Sequence, residues 1–318
     1  MTKLRVGVVG VGYLGNFHAE KYAALDDVEL VGVVDLDRRQ AEKVARKVKT
    51  RAYTDHAALA GRVDAVSVVV PTSAHFEVAM DFISGGSDVL IEKPMTTSLE
   101  EADSLIRHAE RNGRIIQVGH LERFNPVVVE ARKILDRPFF IEGHRRNIFS
   151  PRGTDVSVVL DLMIHDIDIV LSLVDSDLID LRASGVTMLS GHPDHASARL
   201  EFANGCTANL TASRVALESS RKLRFFQRDG SISIDFVNHR IVRVKRDGDN
   251  PSGPIPGMRI DEVAVAPGDA LKDEIAAFVS AVSGRRPPEV TGQMGRDALR
   301  VALQIDERIR LANRRIPG

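Results

Sequence analysis

Short runs of β-branched apolar residues alternate with amphipathic stretches over the first 120 residues of the chain. These runs lie at Arg5–Val9, Glu29–Val34, Ala65–Val70, Asp88–Ile91 and Arg114–Val118. Because VVGV, VSVVV and DVLIE are apolar at consecutive positions, we expect strands that are buried on both faces, as in a parallel sheet covered by helices. The pattern predicts a doubly wound α/β domain of the Rossmann type over residues 1–120.

The sequence pattern changes after about Gly119. One apolar helix is expected near Val156–Val174, and strand-like segments with few helices between them follow it. The turn sequences ANG at 203–205 and RDG at 228–230 separate such segments, which favours antiparallel hairpins. We therefore expect a second domain of the α+β class, built on a large, open, mostly antiparallel sheet.

The last part of the chain predicts a loop and two helices. The stretch GDNPSGPIPG at 248–257 is typical of a surface loop, and helices are expected at about Asp269–Ser283 and Gln293–Asn313. We assign residues 121–318 to the second domain, which would bind substrate and form oligomer contacts. This division is compatible with a C-terminal helix that packs back on the first domain.

Charge and cysteine content limit the classes of function. The 43 Lys and Arg residues nearly balance the 44 Asp and Glu residues, so no overall positive field exists to attract nucleic acid or an anionic membrane. The single cysteine, Cys206, excludes an intramolecular disulfide and is expected to be a buried, unreactive side chain. No signal peptide and no apolar run of membrane-spanning length is evident, so a cytoplasmic location is expected.

The sequence GVGYLG at 10–15 has the context of a dinucleotide-binding motif. It follows the first strand and precedes a helix, so Gly10, Gly12 and Gly15 would allow a pyrophosphate to approach the backbone amides. Asp35 ends the second strand, where its carboxylate can accept hydrogen bonds from a ribose. This acid favours NAD as cofactor, whereas Arg38, just beyond it, leaves NADP as the alternative.

Lys93 ends the fourth predicted strand, in the sequence IEKPMTT. Ligands of open α/β sheets gather beyond the carboxyl ends of the strands, so the Lys93 ammonium could bind a substrate hydroxyl and stabilise an alkoxide. The alternative is a solvated loop lysine.

The apolar helix DVSVVLDLMIHDIDIVLSLV, residues 155–174, carries a polar stripe. Asp161, His165 and Asp168 are spaced so that an α-helix places them on one face. Histidine is suited to take a hydroxyl proton near neutral pH, and Asp161 could orient it or contact the substrate. Two alternatives remain: a structural stripe whose polar groups are paired internally, or a metal pair formed by Asp161 and His165.

A basic run could bind an anionic substrate. It comprises His144, Arg145, Arg146 and Arg152, and Arg123 lies just past the fifth predicted strand. Arginine binds phosphate oxygens in a bidentate manner, so the run is a candidate site for a phosphorylated or nucleotide-linked substrate. The alternative is a solvated, charged surface.

The order and spacing of GVGYLGNFH, EKP at 92–94 and the Asp161–His165 pair resemble the Gfo/Idh/MocA family of oxidoreductases. The resemblance covers essentially the whole chain. It implies NAD(P)-dependent oxidation or reduction of sugars or cyclitols, with Lys93 acting on the reacting hydroxyl, His165 as acid/base and Asp161 as its acidic partner. It also implies a homo-oligomer, a dimer or tetramer, joined through the open sheet.

The complete expected site follows from the motifs and this resemblance together. The catalytic residues are Lys93, His165 and Asp161. The cofactor-binding residues are Gly10, Gly12, Tyr13, Leu14, Gly15, Asp35, Arg38, Pro71, Glu92 and Lys93. The substrate-binding residues are Arg123, Arg145, Arg146, Arg152 and Asp168, and no metal is expected.

Two further segments, VGHLERFNP at 118–126 and FSPRGTDVSVVLDLMIHDIDIV at 149–170, resemble one branch of that family, which oxidises the 3-hydroxyl of UDP-N-acetylglucosamine. This resemblance implies a ketone product that a partner aminotransferase converts to a 3-amino sugar for lipid A. It would give the arginines a diphosphate to bind. A free sugar or cyclitol is the alternative substrate, and a non-catalytic nicotinamide sensor or scaffold is the alternative of another class.

Overall fold

The structure of the protein is a computed structural model that describes residues 3–150, 153–248 and 254–314. Its strands are β1 (Leu4–Val9), β2 (Val28–Val34), β3 (Arg51–Tyr53), β4 (Ala65–Val68), β5 (Asp88–Glu92), β6 (Ile116–Gly119), β7 (Phe140–Arg146), β8 (Leu178–Val186), β9 (His195–Phe202), β10 (Thr207–Ser213), β11 (Ser220–Gln227), β12 (Gly230–Asp235), β13 (Arg240–Arg246) and β14 (Met258–Ala264). Its helices are α1 (Tyr13–Ala23), α2 (Arg38–Val48), α3 (Thr72–Ser84), α4 (Leu99–Arg111), α5 (Pro126–Arg132), α6 (Ile164–Leu173), α7 (Ala270–Gly284) and α8 (Gly292–Asn313).

The chain forms two compact units. The described residues of 1–121 and 269–299 form the first unit, and those of 122–268 and 300–318 form the second. The sequence-based division differs in assigning 269–299 to the second domain. The physical reason is that α7 carries an apolar face, including Ile275 and Phe278, which is buried in the same core as β1 and α1.

The first unit contains a six-stranded, wholly parallel sheet in the order β3-β2-β1-β4-β5-β6. The predicted doubly wound α/β domain is confirmed. β1, β4 and β5 contribute fully buried side chains, including Val8, Val66 and Leu90, which explains why their sequences are apolar at consecutive positions. The sequence missed β3 because this edge strand has only three residues, none of them fully buried.

The second unit contains an eight-stranded, mixed sheet in the order β14-β13-β12-β11-β7-β10-β9-β8. Its pairs are antiparallel except for β7 and β10, which run parallel. The hairpins predicted at 203–205 and 228–230 are confirmed as β9–β10 and β11–β12. α5 packs on β12 and β13, and α6 packs on β7 and β10, so one face of this sheet is covered.

The apolar helix predicted at Val156–Val174 has a more complex form. Val159–Met163 is a π-helical turn, and α6 continues from it to Leu173. A π turn contains an additional residue relative to an α turn, so it changes which later residues share a face.

Three further expectations concern Cys206, the loop at 248–257 and membrane-spanning helices. Cys206 is buried and free, as expected, and burial raises the pKa of its thiol to about 11. Half of the predicted loop at 248–257 lies outside the described residues, at 249–253. No helix in the described part of the chain is both long and apolar enough to cross a membrane.

Candidate functional site

The glycine motif has the local geometry of an anion cradle. Gly10 has φ +84°, and a Cβ there would lie 2.5 Å from the Val69 carbonyl oxygen. A Cβ at Gly15 would lie 1.8 Å from the Gly10 carbonyl oxygen, so neither position accepts a side chain. At Gly12 the space is open for 4 Å, and no side chain caps the N-terminus of α1. The first amides of α1 can therefore bind a pyrophosphate, which fits a dinucleotide.

The Asp35 carboxylate binds backbone amides of the neighbouring loops and can also bind the cofactor. Its two oxygens accept hydrogen bonds from the amides of Val11 and Asp37, both at 3.0 Å. Each oxygen has a further lone pair, so the carboxylate can still accept from a ribose hydroxyl. Arg38 is exposed and binds Glu42 at 2.8 Å, so its guanidinium is engaged by the neighbouring turn of α2.

The other expected cofactor residues lie around the same edge of the sheet. Tyr13 is 66 % exposed at the start of α1, followed by the partly buried Leu14. Pro71 precedes α3, whose buried His75 is within hydrogen-bond distance of the carbonyl oxygens of Val70 and Pro94 at 2.9 Å. Burial lowers the pKa of His75, while the carbonyl oxygens of Val70 and Pro94 favour its protonated form.

Lys93 follows a buried acid at the end of β5. Glu92 is 8 % exposed and lies 3.1 Å from His18 Nε2, and the Lys93 amide donates to its other oxygen at 3.3 Å. Burial alone would raise the pKa of Glu92, but the His18 hydrogen bond and the charges of His18 and Lys93 lower it. A Cβ at Gly119 would lie 2.8 Å from Glu92, so glycine provides the space for this acid. The partly buried Lys93 is thus next to a fixed negative charge.

The polar residues of the α6 region fall into two groups. Asp161 and His165 are partly exposed, whereas Asp166 and Asp168 are buried. The polar face expected for Asp161, His165 and Asp168 is therefore not open to solvent at Asp168. His165 and Asp168 both follow the π turn in α6, and Asp168 is fixed in the interior by an arginine.

Arg123 and Asp168, both expected to bind substrate, bind each other. The Arg123 Nε and Nη2 atoms donate to the two Asp168 oxygens at 2.7 and 3.0 Å. The side chains are 4 % and 2 % exposed. This buried bidentate pair joins the segment before α5 to α6, so the geometry supports a structural role for both residues.

Arg145 is the centre of a second buried cluster. Its guanidinium donates to Asp166 at 2.7 Å and to Glu122 at 2.7 Å, and its side chain is 2 % exposed. Burial alone would lower the pKa of Arg145, but the two carboxylates raise it above its usual value. Arg145 is therefore a charged anchor for α6, and its donors are already occupied.

The basic run is divided by the strand that contains it. Side chains alternate between the faces of β7, so Ile141 and Arg145 are buried while His144 and Arg146 are exposed. Arg145 and Arg146 cannot bind one diphosphate together, which corrects the expectation of a single cluster. Arg152 lies outside the described residues.

Sequence reasoning missed several charged residues near α6. Arg221 pairs with Arg145 in the β7–β11 register and is only partly buried. Burial and repulsion from Arg145 lower the pKa of Arg221, and Glu122, Asp166 and Asp161 offset this only in part. The alternation of Ile141, Gly143 and Arg145 is the signal that could have predicted a buried Arg145 and a buried acid, such as Asp166, beside it.

The comparisons with known protein families match both units. Residues 4–120 match the profile described as "Oxidoreductase family, NAD-binding Rossmann fold" (GFO_IDH_MocA). Residues 126–233 match the profile described as "GFO/IDH/MocA C-terminal domain".

Individual relatives are similar over most of the chain. The UDP-N-acetylglucosamine 3-dehydrogenase of Acidithiobacillus ferrooxidans is 41 % identical over 306 residues, which cover 96 % of this chain and 97 % of the relative. A solved structure of that enzyme has a TM-score of 0.93 at 40 % identity, with coverage of 98 % and 99 %. The scyllo-inositol 2-dehydrogenase (NAD(+)) of Bacillus subtilis is 28 % identical, with coverage of 76 % and 77 %.

We predict that the Arg123–Asp168 pair contributes to stability. Arg123→Met should lower the free energy of unfolding by about 3 to 5 kcal/mol, because it leaves a buried carboxylate without its cation. Urea unfolding followed by circular dichroism measures this loss. The control is Arg182→Met, whose side chain is 80 % exposed. Equal stability of the two variants would contradict a structural role for the pair.

Proposed function

Because the chain belongs to the Gfo/Idh/MocA family of oxidoreductases, we propose that it is an NAD-dependent dehydrogenase that oxidises the 3-hydroxyl of UDP-N-acetylglucosamine to a ketone. One observation carries the choice of substrate: the 41 % identity, over 96 % of the chain, to an enzyme named for this substrate and position. A free sugar or a cyclitol is less well supported, because the scyllo-inositol dehydrogenase is 28 % identical over a smaller share of the chain.

The proposed reaction converts an alcohol and NAD⁺ into a ketone, NADH and a proton. The C3–H bond breaks with its electron pair leaving as hydride, and the hydroxyl loses its proton. NAD, when bound, supplies the hydride acceptor. The residues suited to hold it are the open Gly12 position, the uncapped N-terminus of α1 and the Asp35 carboxylate.

The residues proposed for the chemistry are Lys93, His165 and Asp161. The Lys93 ammonium would bind the reacting hydroxyl and stabilise the negative charge that develops on its oxygen. His165 would take the hydroxyl proton, since an imidazole is suited to proton transfer near neutral pH. Asp161, which precedes His165 on the same helical segment and is also partly exposed, would orient the ring or the sugar.

The diphosphate of a nucleotide sugar needs a cation with unoccupied donors. Arg123 and Arg145 are engaged by buried carboxylates. Among the described residues Arg221 makes a 3.5 Å contact to Asn147 and no ion pair within 4 Å, so it is better suited to this role. Arg146 is exposed and remains a second candidate.

The proposal extends to location and partners. The enzyme would act in the cytoplasm, because its cofactor and substrate are charged, phosphorylated molecules that cells retain. An aminotransferase would consume the ketone and form a 3-amino sugar for lipid A. We also propose a homo-oligomer, a dimer or tetramer, that uses the uncovered face of the eight-stranded sheet.

The function is tested by incubating the protein with NAD and a panel of UDP-sugars, free sugars and inositols while following nicotinamide reduction. We expect turnover of UDP-N-acetylglucosamine. Because an unfavourable equilibrium can hide turnover, a parallel trial includes an aminotransferase and an amino donor to remove the ketone. Turnover of free sugars or inositols alone would contradict the proposed substrate, and a silent panel in both trials would favour the sensor alternative.

The catalytic assignment predicts that Lys93→Met and His165→Asn each lower kcat by about 10²- to 10⁴-fold, because each removes a group that acts in proton transfer or on the reacting oxygen. Steady-state kinetics measure the change. The matched control is Lys133→Met, since Lys133 is 61 % exposed and pairs with Glu130 on the surface. Full activity in either site variant would refute its assigned role.

The cofactor assignment predicts that Asp35→Asn reduces the preference for NAD over NADP. The variant keeps an acceptor for the Val11 amide but removes the charge that repels a 2′-phosphate. Loss of about 1.4 kcal/mol would lower the ratio of kcat/KM values for the two cofactors about tenfold. Asp26→Asn, on the surface, is the control. An unchanged ratio would show that Asp35 does not select the cofactor.

A further inference from the structure

Arg214 joins a turn in the second unit to the end of β10. The residue follows Ser213 directly and is 3 % exposed. Its Nη1 donates to the Gly153 carbonyl oxygen at 2.7 Å, and its Nη2 donates to the Val156 carbonyl oxygen at 2.9 Å. A planar guanidinium presents its donors in a fixed fork, so these two bonds hold the turn at 153–156 in one place.

The same turn lies against the carboxylate of Asp161. Gly153 has φ +70°, and a Cβ there would lie 2.8 Å from Asp161 Oδ2. Arg214 Nη2 lies 3.9 Å from that oxygen. The position of the Asp161 carboxylate is thus restricted by the backbone of Gly153 and by the buried Arg214 guanidinium. A shift of the turn would allow the Asp161 side chain to adopt other rotamers.

Arg214 is itself fixed by Asp194. The Asp194 carboxylate accepts hydrogen bonds from the amides of Met188, Leu189 and Ser190 at 2.7, 2.7 and 3.0 Å, and from the Ser190 hydroxyl. Burial alone would raise the pKa of Asp194, but these bonds hold it well below its usual range. The Arg214 amide donates to the Asp194 carbonyl oxygen at 2.9 Å, and Nε lies 4.0 Å from the ionised carboxylate.

The backbone of Asp161 is fixed separately from its side chain. Asp161 lies in the π turn, and its amide donates to the Ser157 carbonyl oxygen at 3.0 Å. The Ser157 hydroxyl donates to Asp306 of α8 at 2.6 Å. π turns occur frequently at functional sites, where they direct a side chain away from the regular helical register. With the backbone held in this way, the turn and the guanidinium both restrict where the carboxylate points.

We propose that Arg214 is a positioning residue, which orients the Asp161 carboxylate for the substrate by holding the turn at 153–156 against it. This inference rests on the role given to Asp161 in the proposed function. Arg214 needs no contact with the sugar. Its effect on turnover passes through Asp161, and its effect on the turn exists without any substrate.

The test combines a double-mutant cycle with hydrogen exchange. Arg214→Gln should lower kcat/KM for UDP-N-acetylglucosamine by about 10²-fold, as expected for a misplaced reactive group, and leave the affinity for NAD unchanged. The same substitution in an Asp161→Asn background should cause little further loss, because the carboxylate that it positions is absent. An equal loss in both backgrounds would overturn the inference.

Hydrogen exchange provides a readout that does not depend on activity. Amides of 153–158 should exchange faster in Arg214→Gln than in the wild-type protein, whereas the exposed control Arg199→Gln should leave them unchanged. Unchanged exchange in the Arg214 variant would overturn the inference. If the wild-type protein turns over no sugar while exchange at 153–158 still rises in the variant, the proposed function fails and the role of Arg214 in holding the turn stands.

If Arg214→Gln does not fold, Arg214→Lys replaces it in both experiments. Lysine keeps the charge beside Asp161 but lacks the planar fork that binds two carbonyl oxygens. We expect a folded protein with reduced kcat/KM and faster exchange at 153–158. If the lysine variant has the kinetics and the exchange rates of the wild-type protein, the planar guanidinium is not required to hold the turn, and the inference is overturned.

Discussion

Two buried arginine–carboxylate clusters fix the helix on which the proposed chemistry depends. Arg123 binds Asp168, and Arg145 binds Asp166 and Glu122, all with little solvent exposure. Six of the ten residues of α6 are buried and most of its side chains are apolar, so nonspecific packing alone would allow it to rotate or slide. The directional ion pairs of Asp166 and Asp168 select one rotation of α6 about its axis and one position of the helix along that axis. On the same segment, Asp161 and His165 are partly exposed.

This arrangement separates groups that the sequence placed together. The acids of LDLMIHDID differ in their surroundings: Asp166 and Asp168 bind buried arginines and anchor the helix, whereas Asp161 is partly exposed and lies against Gly153 and Arg214. The adjacent arginines of β7 are separated in the same way, because a strand directs neighbouring side chains to opposite faces. The two adjacent arginines resemble one anion-binding site in the sequence. In the structure, Arg145 is a buried anchor and Arg146 is a surface residue. In the proposed function, an arginine with unoccupied side-chain donors is therefore better suited to bind substrate.

Much of the fold could be predicted from the sequence because its signals are local. Consecutive apolar residues identified the buried parallel strands, and turn sequences located the two hairpins. The π turn at Val159–Met163 could not be predicted, since its residues also suit an α-helix. The burial of Arg145 was readable from strand alternation. The pairing of Arg123 with Asp168 was not, because these residues are 45 positions apart and only the folded chain joins them.

In the proposed function, Lys93, Asp161 and His165 each take part in the oxidation of a nucleotide sugar at C3. The most direct measurement uses UDP-N-acetylglucosamine with deuterium at C3, unlabelled NAD and mass spectrometry of the reduced cofactor. The account predicts that the NADH formed carries one deuterium and that it forms more slowly than with unlabelled substrate. NADH without deuterium, from a substrate that retains its label, would contradict it.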